Sequence, residues 1–259
     1  RLWHLCEQSV NTFRAEAPIE TVAFDPAGKT AFFGGWDGQV HAYPTGSTAA
    51  SFSIDHGGYV YGMAVSPDGQ LIATGANDKV IRLWQAHDGR PAGTLEGHQD
   101  AVLQLEFSRD GRWLLSASYD GTARLWDVSS GRELAKLQRH NWWVWQAAFS
   151  PDGKQIVTAS QDGRAIVWRV EDETDRVACA AVTEFTAHRG PVQAVDFSPR
   201  GSLIASAGYD GRILLWNPEE IEPVDLELRI AGIAESRAPY IELAGHTAPV
   251  TCVRFSPDG

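Results

Sequence analysis

One phrase returns along this chain at a nearly fixed interval, and that interval limits the available folds more than any other feature. Ser-Pro-Asp-Gly or a close variant stands at Ser66-Pro67-Asp68-Gly69, Ser108-Arg109-Asp110-Gly111, Ser150-Pro151-Asp152-Gly153, Ser198-Pro199-Arg200-Gly201 and Ser256-Pro257-Asp258-Gly259. Asp25-Pro26-Ala27-Gly28 is a weaker copy. The second residues of successive copies are 41, 42, 42, 48 and 58 positions apart. A second phrase keeps step with the first: Ile81-Arg82-Leu83-Trp84, Ala123-Arg124-Leu125-Trp126-Asp127, Ala165-Ile166-Val167-Trp168 and Ile213-Leu214-Leu215-Trp216. The unit is therefore about 42 residues long, with insertions in the last two intervals.

Within a unit, the runs at 190–197, around Leu203-Ile204-Ala205 and around Ile213-Leu214-Leu215 read as short strands separated by Pro-Asp-Gly or Asp-Gly turns. Four strands fit in each unit. Ten tryptophans and 25 glycines beside a single methionine agree with strands and turns rather than packed helices. A four-stranded sheet that is apolar on parts of both faces cannot bury itself, so copies must stack, and radial stacking closes into a propeller.

Gly97-His98, Phe107-Ser108, Ala117-Ser118-Tyr119-Asp120-Gly121 and Leu125-Trp126-Asp127 together resemble the WD-repeat β-propeller family, in particular the regular arrays of bacterial WD-repeat proteins. The resemblance implies an all-β fold of four-stranded antiparallel blades, five of them complete, with partial blades at the two termini. Arg1 aligns with Arg124 and Gly259 with Gly111, which predicts a single propeller domain truncated from a longer array. Its units are 1–14 (partial), 15–55, 56–97, 98–139, 140–187, 188–245 and 246–259 (partial).

His98, Ser116 and Asp120 have the residue types of a Ser-His-Asp nucleophile. The same offsets recur at His56, Thr74 and Asp78, at His140, Thr158 and Asp162, and at His188, Ser206 and Asp210, with Trp84, Trp126, Trp168 and Trp216 six residues after each aspartate. Four identical active sites in one ring are implausible. The family resemblance implies structural tetrads instead, in which imidazole, hydroxyl, carboxylate and indole satisfy one another around a turn. His246 opens a further copy, whereas the first unit has Ala15, Phe33 and Tyr43 at the His, hydroxyl and Trp places and keeps Asp37-Gly38. That unit is expected to hold together by packing alone and to be the most labile complete blade. His4, His41 and His87 stand apart from other ligand types, so no metal and no cofactor is expected. Cys6, Cys179 and Cys252 are widely spaced and odd in number, and read as buried thiols of a reducing, cytoplasmic setting rather than a disulfide framework.

The resemblance also places exposed positions three and five residues after each His and immediately before each Asp. Seven of those seventeen positions are aromatic, Trp36, Tyr59, Tyr61, Tyr119, Trp143, Trp145 and Tyr209, an enrichment over the 10% aromatic content of the chain. Exposed aromatic groups of this kind mark a contact surface, and Asn141-Trp142-Trp143-Val144-Trp145 is its densest point. The alternative is that these rings cap the central channel or pack on neighbouring loops. A net charge of −11 disfavours nucleic acid and suits a protein or peptide bearing Lys or Arg. The acidic stretches Glu171-Asp172-Glu173 and Glu219-Glu220 read as solvated loops in the inserted connections.

The reading is a non-catalytic interaction scaffold. Its alternative is the regulatory or sensor portion of a larger signalling enzyme, a Ser/Thr kinase or ATPase whose catalytic domain lies outside these residues. No phosphate-cradling glycine loop or kinase signature occurs in them, and a propeller hydrolase would need convergent non-repeating groups that the sequence does not offer. No apolar run approaches the roughly 20 residues that span a bilayer. The partner's identity and the oligomeric state are not encoded in any of these features.

Overall fold

The computed structural model describes residues 17–173, 176–221, 240–243, 245–256 and 258. They form five antiparallel four-stranded sheets, each a meander in chain order. The first comprises β1 (Ile19–Phe24), β2 (Thr30–Gly35), β3 (Gln39–Pro44) and β4 (Phe52–Asp55). The second comprises β5 (Val60–Val65), β6 (Leu71–Ala76), β7 (Ile81–Gln85) and β8 (Pro91–Leu95). The third comprises β9 (Val102–Phe107), β10 (Trp113–Ser118), β11 (Ala123–Asp127) and β12 (Glu133–Leu137). The fourth comprises β13 (Val144–Phe149), β14 (Gln155–Ser160), β15 (Ala165–Glu173) and β16 (Arg176–Phe185), and the fifth β17 (Val192–Phe197), β18 (Ile204–Gly208), β19 (Ile213–Trp216) and β20 (Tyr240–Leu243).

The recurrent Ser-Pro-Asp-Gly phrase makes the hairpin between the first two strands of a blade. In the second blade the Ser66 hydroxyl donates to Asp68 at 2.6 Å and accepts the Leu71 amide at 2.9 Å, and Gly69 takes φ of 72°. Ser108 with Asp110 and Ser150 with Asp152 repeat the arrangement. The Asp-Gly turn lies at the other end of the meander, joining the second and third strands, with Gly38, Gly121, Gly163 and Gly211 at φ of 73° to 82°. The second blade puts Lys79 there, at φ of 74°. A non-glycine residue in the left-handed region costs roughly 1–2 kcal/mol, while glycine's extra freedom in the unfolded chain gives back about 0.5–1 kcal/mol. Lys79→Gly is therefore expected to stabilise the protein by about 0.5–1 kcal/mol, read as a rise in the urea unfolding midpoint at unchanged slope.

The core lies between the sheets. Leu115 and Leu125 of the third blade pack with Val144, Ile156 and Trp168 of the fourth, and Val157 and Val167 of the fourth with Val195, Ile204 and Trp216 of the fifth. The second and third blades meet through Ile81, Leu83, Leu105 and Trp126, and the first and second through Phe32, Ile54, Ile72 and Trp84. Innermost strands follow one another around the ring, β1 beside β5, β5 beside β9, β9 beside β13 and β13 beside β17. Their polar side chains fasten the next blade: Gln104 Oε1 accepts the Ala147 amide at 3.1 Å, Glu106 Oε1 the Phe149 amide at 3.2 Å and Gln146 Oε1 the Val195 amide at 3.3 Å. Asp196 does the same for Phe255 at 2.7 Å, so residues 250–255 dock on the fifth blade as an incoming inner segment.

Two expectations need correction. Glu171, Asp172 and Glu173 are exposed, but they belong to a strand. The six-residue insertion lengthens the β15–β16 hairpin, whose pairing continues to Glu173 opposite Arg176, and Asp172 receives both terminal nitrogens of Arg112 at 2.9 and 3.3 Å. The cysteines are not uniformly buried: Cys179 is half-buried on β16 with its thiol pushed up to about 12 by burial and by Glu171, whereas Cys252 is exposed. Cys6, Ala15 and the partial unit 1–14 lie outside the described residues.

Candidate functional site

Four of the predicted constellations come together. In the third blade the Trp126 indole donates to Ser116 Oγ at 2.9 Å, Ser116 lies 2.7 Å from His98 Nε2, and His98 Nδ1 lies 2.8 Å from Asp120 Oδ2. The fourth blade repeats this with Trp168, Thr158, His140 and Asp162, and the fifth with Trp216, Ser206, His188 and Asp210, at 2.8 to 3.1 Å throughout. Neutral imidazole fits the direction of this chain: indole N–H to hydroxyl oxygen, hydroxyl to Nε2, and Nδ1–H to carboxylate. The four hydroxyls have no exposed surface. A hydroxyl sealed in the core and already accepting an indole N–H reaches no substrate.

The second blade is wired differently. There His56 Nδ1 faces Thr74 at 2.7 Å, while Nε2 lies 2.7 Å from Arg82, which also bonds Asp78 at 2.5 Å. In the other three blades the residue after the histidine, Gln99, Asn141 or Arg189, gives its amide to the turn aspartate. In the second blade that residue is Gly57 at φ of 86°, and its amide goes to Asp55 instead. Arginine supplies the missing donor.

Cations around the turn aspartates were not anticipated. Asp78 and Asp120 take Arg82 and Arg124 from four residues on, whereas Asp162 and Asp210 take Arg164 and Arg212 from two residues on. An outer glutamate closes each of the last three groups: Glu133 on Arg124, Glu184 on Arg164 and Glu242 on Arg212. The first blade also departs from packing alone, because His41 bridges Asp37 at 3.2 Å and Ser53 at 2.8 Å. His41 stands at the place where Arg82 and Arg124 stand, so a ring from the third strand substitutes for the absent histidine of the loop.

These surroundings set protonation. Burial lowers His56, His98 and His188, and Arg82, Arg124 and Arg212 add to it. Burial alone would raise Asp78, Asp120, Asp162 and Asp210, but the hydrogen bonds they accept, from Arg82 and Arg164 among others at Asp78 and Asp162, outweigh it and hold all four below the ordinary carboxylate range. Histidine and aspartate thus both bind fewer protons folded than unfolded, so stability is complete above the unfolded histidine value near 6.5 and falls as pH drops through it. It falls again through the carboxylate range. Unfolding free energy is expected to decline by on the order of 2–4 kcal/mol between pH 7.5 and 5.5. Urea titrations at the two pH values check this; a flat profile would mean the histidines titrate as solvated groups.

The aromatic candidates form one face. The amide of the residue before each turn aspartate bonds the carbonyl of the residue three places after the histidine position: Trp36 to Pro18, Asn77 to Tyr59, Tyr119 to Ala101, Gln161 to Trp143 and Tyr209 to Pro191, at 2.9 to 3.1 Å. This ladder sets the two groups of positions side by side in every blade. Across blades, Tyr119 contacts Tyr61 (6.5 Å between centroids), Trp143 (4.5 Å) and Trp145 (5.5 Å), while Trp36 stacks on Tyr59 at 6.1 Å. Trp36, Tyr59, Trp143 and Tyr209 are exposed, whereas Tyr61, Tyr119 and Trp145 are half-buried. Trp142 escaped the positional rule although it is 59% exposed and packs edge-on against Trp143. No cluster of three potential metal ligands occurs among the described residues.

The WD domain, G-beta repeat family model matches residues 7–43, 47–85, 89–127, 131–169, 179–217 and 237–259. The chain belongs to this family. From the second onward, each complete matched WD repeat carries the outermost strand of one blade and the three inner strands of the next, so consecutive repeats interlock. Among curated proteins, the small ribosomal subunit protein RACK1 of Caenorhabditis elegans is 34% identical over 34% of this chain and 28% of its own length. WD repeat-containing protein 86 of Homo sapiens is 39% identical over 22% of the chain and 15% of its own length. The serine-threonine kinase receptor-associated protein of Gallus gallus is 32% identical over 33% and 25%. The chain thus spans less than a third of the length of each.

Proposed function

We propose that this WD-repeat chain is a non-catalytic interaction scaffold that holds a Lys- or Arg-bearing protein segment on its aromatic face. One observation carries the reading: the continuous ring cluster of Tyr61, Tyr119, Trp143 and Trp145, joined by exposed Trp142 and drawn from three blades. Large rings left in water are costly unless a partner covers them, and Trp and Tyr dominate interface energetics. Ring faces attract cations at contact, and the chain's net charge of −11 favours a cationic partner at longer range. The relatives' names point to assembly too: a ribosomal subunit protein and a receptor-associated protein. The tetrads serve this function as scaffold, fixing the loops that carry the rings.

The test is capture of immobilised peptides by wild type and by the Trp142→Ala/Trp143→Ala double variant. Peptides containing Lys or Arg are expected to be retained by wild type and lost by the variant, with far-ultraviolet circular dichroism unchanged. Equal capture by both proteins would end the proposal.

A further inference from the structure

At the end of the blades opposite the aromatic face, each Ser-Pro-Asp-Gly turn leans on its predecessor. A Cβ placed on Gly69 would stand 3.3 Å from the Pro26 ring, one on Gly111 3.6 Å from Pro67, and one on Gly201 3.5 Å from Pro151. Gly153 breaks the series, with no atom within 4 Å. The reason is one residue: the preceding turn carries Arg109 where the other four described turns carry Pro26, Pro67, Pro151 and Pro199. The junction of the third and fourth blades holds a cleft of about 750 Å³, larger than the one of about 550 Å³ at the next junction, where Pro151 is in place.

The polar groups of the cleft are unevenly satisfied. Asp110 and Asp152 hold their own turns, Asp172 is taken by Arg112, and Glu106 accepts the Phe149 amide. No carboxylate there lacks a donor. In contrast, the solvent-exposed Arg109 guanidinium and Lys154 ammonium have no hydrogen bond or ion pair among the described residues, and Trp113, 7% exposed, has an indole N–H closed to solvent and without a partner. The walls between them are apolar, built from Phe107, Trp113, Phe149 and Val170.

We propose that this cleft is a second binding site, for an organic monocarboxylate with a flat apolar body. The groups without a protein partner are all donors, two of them cations open to solvent, and a guanidinium fork matches a carboxylate in shape and charge. The volume lies in the range of small-molecule sites. Asp110, Asp152 and Asp172 at the rim oppose any anion, and a dianion such as a phosphate monoester about twice as strongly as a monocarboxylate. Burial brings Glu106 up to about 7, so it contributes less than a full negative charge at neutral pH.

Benzoate is the probe, titrated into the uniformly ¹⁵N-labelled chain while tryptophan indole N–H resonances are followed. The Trp113 resonance, identified by its absence from Trp113→Phe, is expected to shift saturably with a dissociation constant on the order of 1 mM, the range open to so small a ligand. Arg109→Pro, which restores the residue of the other turns, and Arg109→Gln, which leaves the gap and removes the charge, are each expected to weaken binding about 10-fold or more. The Trp142→Ala/Trp143→Ala variant should bind benzoate as wild type does, which separates this site from the aromatic face. A peptide ending in free-acid phenylalanine tells the two sources of the group apart: tighter binding than benzoate assigns a chain terminus, weaker binding a free small molecule. Benzamide binding as well as benzoate, phenyl phosphate binding better, or benzoate binding unaltered by both Arg109 substitutions would each overturn the proposal.

Discussion

Replacing Asp120 by alanine is expected to destabilise the protein by about 3–5 kcal/mol, the usual consequence of removing one partner from a buried charge pair. Asp120 is 5% exposed and serves His98 at 2.8 Å, the Gln99 amide at 2.9 Å, the Thr122 amide at 2.9 Å and the Thr122 hydroxyl at 2.6 Å. Arg124, itself 6% exposed, also faces it at 3.5 Å. The alanine variant strands four donors around the buried turn and leaves Arg124 with Glu133 as its remaining charge partner. Against a total stability of roughly 5–15 kcal/mol for a native domain, that is a large fraction. Asp37→Ala is the matched control. Its carboxylate is 30% exposed and pairs with a 31% exposed His41, so its loss is expected to cost less than about 1 kcal/mol. Urea unfolding of the two variants measures the contrast. Similar costs would mean that the tetrads contribute no more than a surface pair does.

The contrast follows the boundary between what the residue order reveals and what it hides. The period of about 42 and the offsets from histidine to aspartate to tryptophan are legible because each tetrad member sits at a fixed place on a strand of fixed length, as the repeated 2.7–3.1 Å contacts of the last three blades show. The aromatic face is legible for a related reason: the backbone bond from Tyr119 to Ala101, and its four counterparts, ties two sequence positions to one spot on every blade. Side-chain reach is not encoded this way. Arg124 and Arg164 approach equivalent carboxylates from different strand positions, because a long guanidinium stem spans either distance. His41 replaces a loop histidine from a strand for the same reason. Nor does the sequence separate a loop from a lengthened hairpin: Glu171 to Glu173 read as solvated in both cases, and the pairing with Val177 and Arg176 is what makes them strand.

Trp143 and Trp145 are expected to answer alanine substitution differently. Trp143 is 37% exposed and offers its surface outward, touching Trp142, Tyr119 and Trp145 by ring contacts alone. Its loss should weaken capture of a Lys- or Arg-bearing peptide by about 2 kcal/mol, roughly 30-fold in Kd, while the unfolding midpoint stays put. Trp145 is half-buried, wedged edge-on against Tyr119 and Trp143, and its indole donates to Gln161 at 3.0 Å. Removing it leaves a cavity beneath the rings and an unpaired amide oxygen, so Trp145→Ala should cost about 2–3 kcal/mol of stability as well as affinity. Two measurements on each variant decide the matter, peptide affinity by titration and unfolding by urea. If Trp143→Ala lowers stability and spares affinity, the rings are internal packing and the aromatic face is not where this propeller meets its partner. If affinity alone falls for Trp143 and both fall for Trp145, the outer ring makes the contact and the inner ring holds it in place.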